Sequence, residues 1–379
     1  MLSLGDLVEG TFVSRINRFV CECEIGGTKV LAHLPNPGRL LELLIGGRKI
    51  YAVKRKEKDH LPYRICFVEK GGFKVLVDTA RTNEIAERLV EERLIGAFEG
   101  YRVVKREVYV GKRRFDFLLQ GKGGKILLEV KNSTLFRNFL SMFPDCETTR
   151  GRAHIQELIG LTGSEIRGAI LFIVNFPKAK YFLPDFHNDY PFAKTLFDAK
   201  DSVDVRAVSI GFGEDFSLKS VKELEIPWEE MEKRTDDSGI YLLVVEIKEE
   251  SPLTIGSLGK ILFRSGYYVY TGSAMENLRK RIERHIRRRK KLFWHIDYLT
   301  SRFRVLHHFP IRIGKAYECE IAKRLMEIGD WFIPNFGSSD CGCLTHLVGF
   351  EKDPVMNEKF IDLLLYFRMG KLEEVLENR

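Results

Sequence analysis

Apolar and polar residues alternate in short runs over 7–14, 19–25, 28–32, 49–54 and 73–78, separated by glycine turns. Many short strands without a long helix predict a small barrel. The period changes over 83–97, where Ile85, Ala86, Leu89, Val90, Leu94 and Ile95 recur at helical spacing. Two strand-like runs, 113–119 and 125–131, flank Gln120-Gly121-Lys122-Gly123-Gly124 and read as a hairpin, because glycine takes positive φ without steric cost. A helix is expected over 150–162 with Ile155, Leu158, Ile159 and Leu161 inward, then an apolar strand over 168–176. Such alternation indicates an α/β core. Residues 227–238 are polar and turn-rich, as a linker would be. Further strands at 240–247 and from 267, a basic helix from 277 and a helix over 318–328 form a second module. Phe360, Ile361, Leu364, Leu365 and Phe367 predict one or two terminal helices over 356–378. The expected division is a barrel (1–80), an α/β domain (81–227), a linker (228–237), a second α/β module (238–350) and a helical tail (351–379).

Composition narrows the partners. The 379 residues carry a formal charge of +8, which favours a polyanion. Seven scattered cysteines, an odd number, are no disulfide framework and fit a reducing cytoplasm. The N-terminus lacks a basic segment followed by an apolar core, so no signal peptide is expected, and no apolar run approaches the roughly 20 residues that span a bilayer. A cytoplasmic protein with no membrane partner is expected.

The hairpin carries the most chemistry. Alternation puts Leu127, Glu129 and Lys131 on one face and Ile126, Leu128 and Val130 on the other. Folding about the glycines brings Asp116 opposite Glu129. Two carboxylates and an ammonium in an apolar sheet are costly unless paired or bound to a cation. A structural salt bridge of Lys131 with either acid is one reading. A divalent cation held by Asp116 and Glu129, with Lys131 beside an attacking water, is the other, and it is the arrangement that cuts phosphodiesters.

Asn36-Pro37-Gly38-Arg39-Leu40, Arg114-Phe115-Asp116-Phe117, Glu129-Val130-Lys131, Phe143-Pro144-Asp145, Thr148 with Arg150-Gly151, and His154 with Glu157-Leu158 resemble the sugar fermentation stimulation protein family over about residues 1–228. The resemblance implies an OB-type barrel followed by a PD-(D/E)xK nuclease-like domain that binds DNA. It puts Asp116, Glu129 and Lys131 on the nuclease-like motif and Glu92 on the acidic residue of the preceding helix. A short insertion between Asn83 and Arg88 leaves Glu91 as the alternative. Arg39, Lys54, Arg55 and Arg150 are candidate nucleic-acid contacts, with a solvated charge run the bland reading of Lys54-Arg55-Lys56.

The second module is marked by Gly239-Ile240-Tyr241, by Tyr267-Tyr268-Val269-Tyr270-Thr271-Gly272-Ser273 and by the basic segment from Asn277. Nine of the thirteen residues from Arg279 to Lys291 are Lys or Arg. Arg279, Lys280, Arg284, Arg287 and Arg288 are therefore expected to contact phosphates. With Trp294-His295-Ile296-Asp297-Tyr298-Leu299 and Phe336-Gly337-Ser338-Ser339-Asp340-Cys341-Gly342-Cys343, these segments resemble the GIY-YIG nuclease superfamily over about residues 238–350. The resemblance implies Tyr241 and Tyr270 near an attacking water, Arg281 on the phosphate and one metal-holding glutamate, with His285 one turn beyond Arg281. Helix geometry separates two candidates for the glutamate. Glu318 shares the inward face with Ile321 and Ala322, whereas Glu320 aligns with Lys323, Arg324 and Glu327 on the wet face. Two departures stand out: the tyrosine motifs lie far enough apart to hold a hairpin-like insertion, and Thr271 replaces a usual apolar residue.

Cys341, Cys343 and His346 would need a fourth ligand, Cys319 or His307, to hold zinc. Their spacing is not a common structural-zinc pattern, so free thiols and a capping histidine are the expectation. The combined reading is an α/β multidomain protein: an OB-type barrel, a PD-(D/E)xK nuclease-like domain and a GIY-YIG-like domain. It is expected to use Mg2+ or Mn2+ to hydrolyse DNA, with RNA as a further substrate class. The oligomeric state is open, a dimer included. A non-cleaving DNA-binding regulator of sugar (maltose) metabolism is the alternative.

Overall fold

The computed structural model describes residues 6–56, 60–161, 165–234 and 236–379. Expectations about residues 1–5 and the end of the helix at Thr162 lie outside them. The chain divides into two compact units, up to Glu232 and from Lys233 onward.

The first unit opens with β1 (Leu7–Asn17), β2 (Val20–Ile25), β3 (Thr28–His33), β4 (Lys49–Lys54), β5 (Tyr63–Lys70) and β6 (Phe73–Leu76). They run in the order β3-β2-β1-β4-β5-β6, and a parallel β3–β5 pairing closes five of them into an OB-like barrel. The sequence pattern does not announce β5. Its centre, Ile65-Cys66-Phe67-Val68, is buried on both faces, so the alternation that marks a half-exposed strand is missing.

Next come α1 (Thr79–Glu91), β7 (Tyr101–Val110), β8 (Arg113–Gly121), β9 (Gly124–Ser133), β10 (Leu135–Arg137), β11 (Leu140–Phe143), α2 (Thr149–Ile159), β12 (Ile166–Val174), β13 (Tyr181–Pro184), α3 (Tyr190–Asp198), β14 (Asp204–Phe212), β15 (Leu218–Glu223) and α4 (Trp228–Glu232). A six-stranded mixed sheet runs β15-β14-β12-β9-β8-β7, with β9, β12 and β14 parallel. Both faces are covered. Leu127, Ile170 and Phe172 pack with Ile155 and Leu158 of α2, while Ile126, Leu128 and Val130 pack with Ile85, Ala86 and Leu89 of α1.

Helix α1 begins four residues before the expected start. The Asp78 side chain caps it, accepting the Ala80 N–H at 3.2 Å, and also accepts two bonds from Arg64. It ends at Glu91, because Arg93 takes a left-handed conformation and Leu94 N–H turns back to the Leu89 carbonyl.

The second unit contains β16 (Gly239–Ile247), β17 (Ser251–Ile255), β18 (Gly259–Phe263), β19 (Gly266–Ala274), α5 (Leu278–Ile286), α6 (His295–Arg302), β20 (Arg304–Ile311), α7 (Glu318–Ile328), β21 (Trp331–Phe332), β22 (Leu347–Phe350), α8 (Glu358–Leu365) and α9 (Lys371–Glu377). An antiparallel sheet runs β20-β16-β19-β22-β21. The residues between the tyrosine motifs form the separate β17–β18 hairpin. Phe360 of α8 packs on Phe309 and Phe350 of the sheet, and Arg368 donates to the Pro310 carbonyl, so these helices belong to this unit. No helix among the described residues is long and apolar enough to cross a membrane.

Candidate active sites

In the first unit, β8 and β9 pair through Phe117↔Leu128 to Gly121↔Gly124, around the two residues Lys122 and Gly123. This register carries Asp116 to the end of the ladder beside Glu129. Asp116 Oδ2 accepts the Val130 N–H at 2.8 Å, and Oδ1 accepts from the Asn83 amide at 2.7 Å. Glu129 is buried, and its Oε1 is shared by Lys131 Nζ and His154 Nδ1. Its Oε2 is buried with no hydrogen-bond partner among the described residues. An acceptor left bare in an apolar sheet costs about 1–3 kcal/mol or more, and a hard cation shared with Asp116 would remove that cost. The donor set fits a divalent metal.

The two acids ionise differently. Burial, then the Glu129 charge, push the Asp116 carboxyl up. Burial also opposes ionisation of Glu129, but the Lys131 charge and the His154 hydrogen bond outweigh it and hold that carboxyl below its ordinary value.

A cavity of about 350 Å³ opens over these groups, and Arg18, Asn36, Gly38, Asp145 and Arg150 also line it. Its wall is a built loop. Arg15 Nη1 donates to the carbonyls of Gly38 and Arg39 at 2.7 Å each, and Asp145 Oδ2 accepts the Leu40 N–H at 2.9 Å. A Cβ on Gly38 would lie 2.4 Å from that same carboxylate oxygen, so only glycine fits.

One expectation about this site needs correction. Glu92 does not reach it: it lies nine residues past Asn83, about 13 Å along a helix, is exposed, and pairs with Arg88 at 2.6 Å. Glu91 is exposed too and accepts the Val103 N–H. The α1 side chains that line the cavity are Thr79, Thr82 and Asn83. Of the basic candidates, Arg150 lines the cavity from the first turn of α2, whereas Arg39, Lys54 and Arg55 do not. His154, one turn beyond Arg150, is the addition: its signal was a histidine on the apolar stripe of α2 beside Ile155 and Leu158.

In the second unit, Tyr241, Tyr270, Arg281 and Glu318 all line one cavity of about 950 Å³. β16 and β19 pair with Tyr241 opposite Gly272, and a Cβ there would lie 2.5 Å from the Tyr241 hydroxyl. α5 buries Leu278, Ile282 and His285 against the sheet, which turns Arg281 toward the cavity. Trp294 lies against two arginines, with the Arg281 and Arg284 guanidinium carbons 4.3 and 4.4 Å from its ring centroid. Glu318 stands in the first turn of α7, whose Ile321, Ala322 and Leu325 are buried, while Glu320 pairs with Arg324 at 2.7 Å.

His285 is not a wall of this cavity. It is fully buried, with Nε2 2.9 Å from the Tyr241 hydroxyl and Nδ1 2.9 Å from Asp297 Oδ1. It reaches the cavity only through the Tyr241 hydroxyl. Asp297 also accepts from both Arg284 terminal nitrogens at 3.0–3.1 Å and from the Phe293 and Trp294 N–H groups. Burial opposes its ionisation, but these bonds hold the carboxyl far below the ordinary range. An ionised Asp297 fixes the proton of His285 on Nδ1, so Nε2 accepts from the phenol. Burial pushes both tyrosines up, so they stay protonated at neutral pH.

Arg284 therefore spends both terminal nitrogens on Asp297 while it also lines the cavity. Lys290 also folds inward, donating to Thr300 Oγ1 at 2.6 Å, and burial lowers its ammonium to about 8. Arg279, Lys280, Arg287 and Arg288 are exposed, with Arg279 paired to Glu283 at 3.0 Å. In the sequence Asp297 stands within the marker Trp294-His295-Ile296-Asp297-Tyr298-Leu299, with no role given to it.

Beside this cavity, ligand atoms of Cys319, Cys341, Cys343 and His346 all lie within 4.8 Å of one another. His307, the other candidate fourth ligand, lies instead 3.5 Å from Asp353.

An OB-like barrel feeding a sheet that carries paired acids, followed by a second α/β unit with its own polar cavity, sets the class of this molecule. Profiles of three known domains match it: the SfsA N-terminal OB domain over residues 13–77, the sugar fermentation stimulation protein RE domain over 80–215, and the domain of unknown function DUF123 over 240–368. The chain belongs to the sugar fermentation stimulation protein family. The homolog of Pyrobaculum arsenaticum is 41% identical over 219 residues, covering 57% of this chain and 93% of that protein. The homolog of Caldanaerobacter subterraneus subsp. tengcongensis is 33% identical over 218 residues, covering 57% and 95%. The solved structure of Pyrococcus furiosus SfsA in complex with Ca2+ is 31% identical, with a TM-score of 0.55, covering 59% of this chain and 96% of that one.

Proposed function

We propose that the chain is a DNA-binding, metal-dependent endonuclease with a PD-(D/E)xK-like centre in its first unit and a GIY-YIG-like centre in its second. The observation that carries the reading is the bare, buried Oε2 of Glu129 beside Asp116 and Lys131, at the floor of a cavity edged by arginines. That the Pyrococcus furiosus relative was solved with Ca2+, a hard cation that prefers oxygen ligands, supports a divalent metal at this donor set. Mg2+ or Mn2+ is the working ion proposed here.

Asp116 and Glu129 would hold the ion, which would polarise a phosphoryl oxygen. Lys131, whose ammonium is anchored on Glu129 Oε1, positions the attacking water. His154 holds Glu129 from the other side, and Asn83 fixes the rotamer of Asp116. Arg150 and Arg18 draw the phosphate backbone to the cavity mouth.

In the second centre Glu318 would hold one metal and Arg281 would neutralise the phosphate. Tyr241 takes a proton from the attacking water as it passes its own to His285 Nε2, and Asp297 stabilises the imidazolium. Tyr270 orients the water. Exposed Arg279, Lys280, Arg287 and Arg288 supply affinity for the phosphate backbone.

The test is incubation of the full chain with duplex, branched and single-stranded DNA, with and without Mg2+ or Mn2+. Metal-dependent nicking is expected, with Asp116→Ala and Glu318→Ala each lowering cutting while leaving binding intact. Binding to all three substrates with no metal-dependent cleavage overturns the nuclease reading and leaves the DNA-binding regulator.

A further inference from the structure

We propose that Cys319, Cys341, Cys343 and His346 bind one zinc ion, which ties the loop between β21 and β22 to the first turn of α7. The assignment holds whether or not either centre cleaves DNA.

Three observations carry it. First, the four donor atoms come from two separated segments, α7 and the loop, yet converge to within 4.8 Å of one another. A tetrahedral zinc with Zn–S near 2.3 Å and Zn–N near 2.05 Å has edges of about 3.8 Å between sulfurs and about 3.5 Å from sulfur to nitrogen. Cys341 Sγ lies 3.5 Å from His346 Nε2.

Second, the donor set is three thiols and one imidazole, the soft and borderline ligands of closed structural zinc sites, with no carboxylate among the four. This separates it from the oxygen-rich set of Asp116 and Glu129.

Third, the outer nitrogen of the histidine stands next to a carboxylate. With Nε2 turned to the cysteines, His346 Nδ1 lies 3.3 Å from Glu318 Oε1. A ring bound to metal through one nitrogen carries its proton on the other, and a carboxylate commonly accepts it. Because Glu318 and Cys319 are consecutive, the ion would anchor the same helical turn that presents Glu318 to the cavity.

The spacing of Cys341, Cys343 and His346 is no common structural-zinc pattern, and the sequence leaves the fourth ligand open between Cys319 and His307. The fourth comes from Cys319, on a helix that the loop reaches only in the folded chain.

The experiment measures metal in the full chain purified under reducing conditions, by mass spectrometry of its elements. It then exchanges zinc for Co2+ and records the visible spectrum. Expected are one zinc per chain and, with Co2+, the strong visible bands of a tetrahedral thiolate site together with a sulfur-to-metal charge-transfer band. Cys319→Ser and Cys343→Ser should each weaken zinc binding at least 100-fold in competition with a chromophoric chelator. Cys146→Ser, remote from the cluster in sequence and in the other unit, should leave it unchanged. Should the serine variants fail to fold, the Co2+ titration of the unaltered chain decides alone. Absence of both zinc and a tetrahedral Co2+ spectrum overturns the proposal. So does a disulfide among the three cysteines in chain that binds no added zinc.

Discussion

The hydroxyl of Tyr241 lies 2.9 Å from His285 Nε2, and this bond joins the wall of the larger cavity to a carboxylate that solvent does not reach. If Tyr241 and His285 move protons as one unit, their losses should not add. Tyr241→Phe and His285→Ala are each expected to lower second-centre cleavage by about 100-fold or more, and the double variant no further. Single-turnover rates on DNA in an Asp116→Ala background read this out; multiplicative losses would mean independent roles.

Asp297→Asn should destabilise the second unit by about 3–5 kcal/mol at pH 7, because it strips a buried acceptor from Arg284 and His285. The Asp297 carboxyl is held below its unfolded value, so its stabilisation is present above about pH 4 and lost as pH falls through the folded value. Denaturant midpoints of the two proteins should therefore converge in acid.

Removing the bare acceptor of the first centre should cost metal affinity rather than fold. Ca2+ or Mn2+ at about 100 times its dissociation constant should stabilise the native chain by about 2.7 kcal/mol, and Glu129→Gln should abolish most of that gain. Glu92→Gln, which alters only an exposed pair with Arg88, should retain it. Thermal shifts with and without metal separate the two.

Glu42 is buried in the first unit with Oε1 lacking a hydrogen-bond partner among the described residues. Burial, with Asp145 adding to it, pushes its carboxyl up to about 7. The folded chain then holds this proton more tightly than the unfolded one, so stability falls as pH rises from about 4.5 to about 7. Glu42→Gln should exceed the native chain by on the order of 3 kcal/mol at pH 8 and match it near pH 4.5. Urea unfolding at the two values checks the sign.

Arg287 and Arg288 are exposed beyond the end of α5. Replacing both with alanine should lower DNA affinity across all sequences and reduce the slope of log affinity against log salt by about 2. Arg284→Ala should instead lower stability, since its guanidinium holds Asp297.

What was legible from the sequence follows from distance along the chain. Asp116 and Glu129 could be paired because a tight turn fixes their register, and Glu318 could be chosen over Glu320 because α7 has a clear apolar stripe. Glu92 was misplaced because a cap at Asp78 starts α1 early and puts Asn83, not a glutamate, over the acids. His154 and Asp297 received no role, and Cys319 could not be chosen over His307, since each lies beside a group that only tertiary packing brings near.

The turn at Lys122 and Gly123 has a wider consequence. Inserting or deleting one residue there would swap the faces of β9, sending Glu129 and Lys131 into the apolar layer under α1 and Ile126 and Leu128 into the cavity side. The turn is therefore held in length as well as by its glycines, and any descendant of this gene that changes its span must rebuild the centre or lose it.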